Sequence, residues 1–154
     1  MHVMAFFALA ALTAGATSRA TAGDAKEEAV KKDLQAFQGA WRLIPREVDG
    51  RTIREDEFKG VILTHDGAGR FSVRRGDAVI VEATVTLDPT KKPRAIDVTF
   101  TGGENKGKTV LGIYEIEGDT FRVCHARPGG ERPTAFSAKA GSGHAFVVYQ
   151  REKN

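Results

Sequence analysis

The stretch "VIVEATVTL", Val79–Leu87, alternates in chemistry residue by residue. Extended chain sends successive side chains to opposite faces. Val79, Val81, Ala83, Val85 and Leu87 therefore share one side, and Ile80, Glu82, Thr84 and Thr86 the other. "AIDVTF", Ala95–Phe100, does the same, with Ile96, Val98 and Phe100 opposed by Asp97 and Thr99. A strand with one dry and one wet face belongs to an antiparallel sheet, since parallel sheets are covered on both sides.

Outward from this pair the pattern repeats. Short strands are predicted at Val61–His65, Arg70–Arg74, Val110–Ile116, Thr120–Ala126, Thr134–Ser137 and His144–Gln150. Turn residues fill the gaps: Asp66-Gly67, Gly76-Asp77, Asp88-Pro89, Gly118-Asp119, Gly129-Gly130 and Gly141-Ser142-Gly143. Upstream, "AWRLIPREVDGRTI" reads as a strand, a Val-Asp-Gly turn and a short return, with Pro45 marking a bend or an edge. "REDEF", Arg54–Phe58, is one helical turn. Nearly every connection is hairpin-length, and no helix is available to carry a strand–helix–strand crossover. The expected fold is all-β, an antiparallel up-and-down barrel of about eight strands, which removes its edges by closing.

One amphipathic helix precedes the strands. In "DAKEEAVKKDLQAFQG", Val30, Leu34 and Phe37 recur on one face, Asp24 is positioned to cap the start and Gly39 to end it. That face is expected to cover one end of the barrel.

The first 22 residues read differently. Val3–Leu12 is apolar but too short to span a bilayer, and Ala20-Thr21-Ala22 fits a small-x-small cleavage site. The expected organisation is a signal peptide at 1–22, a helical lead-in at 23–33 and a barrel domain at 34–152, exported to the periplasm or beyond. No later apolar run is long enough for a membrane span.

Charge and cysteine narrow the function classes. The chain holds 23 Lys and Arg against 20 Asp and Glu, well interspersed. Loss of residues 1–22 removes Arg19 and no acid, leaving 22 against 20, or +2. No basic block with interleaved aromatics marks a nucleic-acid surface. A lone Cys124 makes no internal disulfide; it is either a buried small hydrophobe or a thiol for a bridge between chains. The ligating residues His65, Cys124, His125 and His144 show no C-x-x-C or H-x-x-x-H spacing, so no metal or other cofactor is expected. Cys124 and His125 face opposite ways on one strand, and His65 and His144 read as solvated strand-end histidines.

"GGENKGKT", Gly102–Thr109, fits the phosphate-loop pattern G-x-x-x-x-G-K-[ST]. Such a loop needs a helix behind it, whose N-terminus and backbone N–H groups hold the phosphates. Here "VLGIYEIEGD" follows, which is strand and turn. The stretch is therefore a hairpin loop, and no nucleotide is expected.

The chain also resembles a known family. "LQAFQGAW" (Leu34–Trp41) ends in Gly-x-Trp at the mouth of the first strand, and "VVYQR" closes on Arg151. This is similar to the lipocalin/calycin arrangement, in which the Trp at the closed end packs on an Arg from the last strand. With "EVDG" (Glu47–Gly50), "LDPTKKPRAIDV" (Leu87–Val98), "GKTVLGIYEIEGD" (Gly107–Asp119), "CHA" (Cys124–Ala126) and "ERPTAF" (Glu131–Phe136), the chain resembles a lipocalin-like domain family expanded in planctomycetes. The resemblance runs from about Leu34 to Arg151. It implies a calycin-like barrel, often behind a signal peptide, closed by Trp41 and Arg151, and it implies no activity.

Two function classes follow. The first is a barrel that binds a small apolar ligand, lined by Phe71, Val81, Val85, Val98, Phe100, Tyr114 and Phe121, with the Tyr114 phenol as the orienting polar group. The second is a solid-cored envelope module that meets a protein partner. Catalysis is not expected, because no nucleophile or carboxylate pair has a telling context. A hollow interior of a few hundred Å³ favours the first class, and a filled interior with an exposed apolar patch the second.

Overall fold

The structure, a computed structural model, describes residues 21–153. The proposed signal segment falls almost wholly outside them.

A helix, α1 (Ala22–Phe37), leads into a meander of nine strands. These are β1 (Gly39–Val48), β2 (Arg51–Ile53), β3 (Val61–His65), β4 (Arg70–Arg75), β5 (Ala78–Asp88), β6 (Arg94–Phe100), β7 (Thr109–Glu117), β8 (Thr120–Ala126) and β9 (His144–Arg151), with one helical turn, α2 (Glu55–Phe58), before β3. Every pairing is antiparallel. From β3 onward each strand pairs with the next, β3 also pairs with β1, and β9 returns to β1. The ring thus has eight strands and is closed. Short β2 stands outside it, paired only with the far half of β1. The whole is the calycin-like arrangement, a closed up-and-down barrel with an N-terminal helix packed against its strands.

The β1–β2 hairpin is set by its two-residue turn. Asp49 (φ 47°) and Gly50 (φ 81°) both take positive φ, as a type I′ turn requires, and Asp-Gly is the pair that tolerates it. Pro45 lies where the register of β1 against β9 slips, between Ile44 and Glu47. With no N–H to donate, proline fits such a bulge.

The expected dry face of β5 needs one correction. Val73 pairs with Val81 but Arg74 pairs with Val79, so Ile80 is an extra residue in β5. The bulge breaks the alternation there. Val79 therefore leaves the inward face and is 44% exposed, beside Ile80 at 51%.

A second correction concerns Thr134–Ser137, which form no strand. β8 pairs directly with β9 and β9 with β1, so the closed ring has no free edge for another strand. The 127–143 connection instead lies over the outside of β6–β8. Arg132 donates from Nη1 to the carbonyls of Ile96 (3.1 Å) and Gly112 (2.6 Å) and from Nη2 to the Asp97 carboxylate (2.6 Å). Cys124 points outward beneath this strap and donates to the Ser137 carbonyl (3.3 Å); burial pushes its thiol pKa up.

Helix α1 is capped by Thr21, not by Asp24. The Thr21 hydroxyl accepts from the Asp24 N–H, and the Asp24 carboxylate accepts from the Thr21 N–H (2.7 Å), a reciprocal capping box. At the other end Gln38 is the C-cap, and Gly39 already belongs to β1.

Candidate functional site

The direction of the strands gives the barrel two unlike ends. At one end β1, β4, β6 and β8 begin and β3, β5, β7 and β9 finish. The turns there are short, and α1 lies across it. At the other end stand the long connections 49–60, 101–108 and 127–143.

The helix end is sealed by aromatic packing. Phe37 is fully buried, with its ring centroid 4.7 Å from Phe121, 5.2 Å from His65 and 5.5 Å from Tyr114. Val30 and Leu34 of the same helical face pack against the core. Trp41, also fully buried, donates its indole N–H to the Phe37 carbonyl (2.8 Å). Arg151 is the Cα partner of Trp41 across β1–β9, and its guanidinium stands 4.1 Å from the indole centroid. The same guanidinium donates to the carbonyls of Ala36 (2.8 Å) and Gln38 (2.7 Å) and pairs with Asp119. Trp and Arg together thus satisfy carbonyls that the last turn of a helix leaves open.

Tyr114 belongs to this seal. Tyr114 is 1% exposed, and its phenol donates to the Asp33 carboxylate of α1 (2.7 Å), which also takes a salt bridge from Arg94 (3.2 Å). Burial, and then the bond to Asp33, raises the Tyr114 pKa well above that of a free phenol. Asp33 sits at i+3 from Val30 and i−4 from Phe37, so helical periodicity alone places it on the buried face.

Above the seal the barrel is hollow. A cavity of about 330 Å³ is bounded by inward side chains of the ring, among them Leu63, His65, Phe71, Val85, Ile96, Val98 and Phe121. Leu63, Ile96 and Phe121 of the wall are buried, and Phe71 and Val85 partly so. Toward the far end Val73, Val81 and Phe100 are only partly buried, and Asn105 of the 101–108 loop reaches the rim. With Phe37 packed across the helix end and Asn105 at the other, the cavity's open side lies away from α1. Of the lining expected from sequence, Phe71, Val81, Val85, Val98, Phe100 and Phe121 meet in this one cavity. Tyr114 does not line it, and its hydroxyl is committed to the helix.

The cavity's polar groups are ones that sequence reading set aside. His65 is not a solvated strand-end histidine. It is 4% exposed, third in the inward series Val61, Leu63, His65 of β3, and its ring packs among Phe37, Phe71 and Phe121. Burial drives its pKa down to about 4, the neighbouring Asp66 carboxylate opposing this only in part. The imidazole is neutral at physiological pH. His125 lies near the open end of β8 and also faces the cavity, opposite in direction to Cys124, as alternation requires. Gly112, its partner on β7, makes room for it: a Cβ there would stand 3.1 Å from His125 Cβ and 2.8 Å from the Cys124 carbonyl.

No cluster of three or more His, Cys, Asp or Glu side chains that could hold a metal ion occurs among the described residues. Gly102–Lys108 form the β6–β7 connection, and Thr109 opens strand β7, with no helix after it. No protein family, no curated protein and no solved structure matches this chain at a significant level.

Proposed function

We propose that the protein is a binding barrel for a small, largely apolar molecule, acting after export from the cytoplasm. The observation that carries this reading is the cavity of about 330 Å³, closed at the helix end and open at the other. It lies at the small end of the range for ligand pockets and has their character, an apolar wall with few polar groups. A barrel this small could have been filled by its own side chains. Here Val73, Val81, Val85 and Val98 of β4, β5 and β6 face the cavity with short side chains that leave it open. Export is supported by the apolar run and the small-x-small site before Gly23. The polar groups of the wall are few, with His65 and Tyr149 toward the helix end and Asn105 and His125 toward the other. Native mass spectrometry of the protein purified from its own host tests the reading. A retained apolar adduct is expected, and apo protein that also takes up no apolar probe would sink it.

A second reading rests on the exposed Val79 and Ile80 at the β4–β5 hairpin, on the open end beside Arg74 and Arg75. These are the features of a contact with another macromolecule, and the barrel would then serve as its scaffold.

A further inference from the structure

We propose that His65 is the polar anchor of the cavity, and that the ligand class is an uncharged molecule with an apolar body and one terminal hydroxyl. This rests on the binding reading above and specifies it. A buried polar group without a hydrogen bond costs roughly 1–3 kcal/mol, so nearly all such groups are paired. The His65 side chain has no hydrogen-bond partner among the described residues; what surrounds it is three aromatic rings. It sits on the floor of the cavity, at 4% exposure, facing the interior. Every other polar side chain built into this end is engaged. Trp41 binds the Phe37 carbonyl, Tyr114 binds Asp33, Asp33 binds Arg94, and Arg151 binds Ala36, Gln38 and Asp119.

The charge of the ligand follows from the same surroundings. Neutral imidazole offers one N–H donor and one acceptor nitrogen, and a hydroxyl matches either. A carboxylate would need a cation beside it, or proton uptake by His65. The charged groups around the floor do not supply one. Asp66, next to His65 in the β3–β4 turn, is an acid already bonded to Arg70 (2.8 Å). Asp33 on α1 is another acid, and Arg94 and Arg151 are spent on Asp33 and on the helix carbonyls. At about 30 Å³ per water-sized group, the cavity holds on the order of ten non-hydrogen atoms.

The test uses the full chain and three probes of matched size: 1-nonanol, nonanoate and nonane. Binding is followed by the ring-nitrogen chemical shifts of His65 and by titration of the wild type and of His65→Phe, which keeps the ring packing and loses both polar atoms. The expected result at pH 7 is that 1-nonanol shifts a His65 nitrogen, and that His65→Phe weakens 1-nonanol about tenfold while nonane is unchanged. Nonane and 1-nonanol binding alike, with no shift at His65, overturns the anchor and leaves the apolar cavity standing. Preference for nonanoate with a protonated His65 overturns the hydroxyl assignment. Failure of all three probes overturns the anchor and the binding reading together. The nitrogen shifts come from the wild-type protein, so the outcome does not depend on the variant folding.

Discussion

Arg151 and Trp41 face each other across the one strand pair that closes the ring, with the guanidinium 4.1 Å from the indole centroid. The contact joins the first strand to the last, and through the Ala36 and Gln38 carbonyls it also joins both to α1. Arg151→Ala should lower unfolding free energy by about 2–3 kcal/mol, from the cation–π contact and the lost carbonyl bonds. Arg151→Lys should recover less than half, because an ammonium cannot span two carbonyls while lying flat on the indole. Urea melts of the three proteins check this.

His65 predicts an acid limb in stability. Its folded pKa, about 4, lies below the ordinary value of 6.5. The unfolded chain therefore takes up the proton first as pH falls. Stability from this residue is complete above about pH 6.5, declines as pH drops, and is fully lost below about pH 4, a span worth about 3 kcal/mol. His65→Phe should flatten that part of the curve while leaving the carboxylate-driven loss at lower pH. Melts at half-unit pH steps give the comparison.

Tyr114 predicts the opposite limb. Its folded pKa is raised above the ordinary 10.0, so the unfolded chain gives up its proton first as pH climbs. The contribution is whole below about pH 10 and falls above it. Tyr114→Phe should cost about 1–2 kcal/mol at pH 7, by removing the bond to Asp33, and should be relatively less sensitive to alkali than the wild type.

Val98→Trp separates a hollow barrel from a packed one. Val98 lines the cavity and is itself buried. An indole placed there should occupy the void, abolish uptake of an apolar fluorescent probe, and leave the melting temperature close to wild type. A loss of about 1–3 kcal/mol is the signature of overpacking and would argue that the interior has no room to give.

What could be read ahead of the structure divides along a physical line. Strand periodicity is a local property, and the bounds of β3 and β8 follow directly from it. So does the Asp-Gly hairpin after Val48. Trp41 and Arg151 come from the calycin resemblance, and in the structure the guanidinium lies over the indole. Val79 escaped because a one-residue bulge is decided by the partner strand. Thr134–Ser137 had the composition of a strand, but ring closure left no edge to pair with. His65 looked like a wet strand end until α1 and its Phe37 roofed it over. Tyr114 was assigned to the cavity, although Asp33, four residues before Phe37 on the same helical face, carried the signal of a buried acid in need of a donor.

The capping box at Thr21 and Asp24 bears on when the chain can be cut. The proposed cleavage after Ala22 falls within the first turn of α1, between the two residues that hold that turn. Proteases commonly take their substrates as extended chain, pairing main chain with main chain, and a helical turn offers none. Processing at that bond must therefore come before α1 docks on the barrel, or the cut must move upstream of Thr21. A cut after Ala22 would also strip the helix of its cap and set a new ammonium at Gly23 against the positive end of the helix dipole, with Asp24 beside it as the nearest counter-charge. Maturation and folding would then compete for the same few residues, and the order in which they occur would decide how the first turn of the mature protein is held.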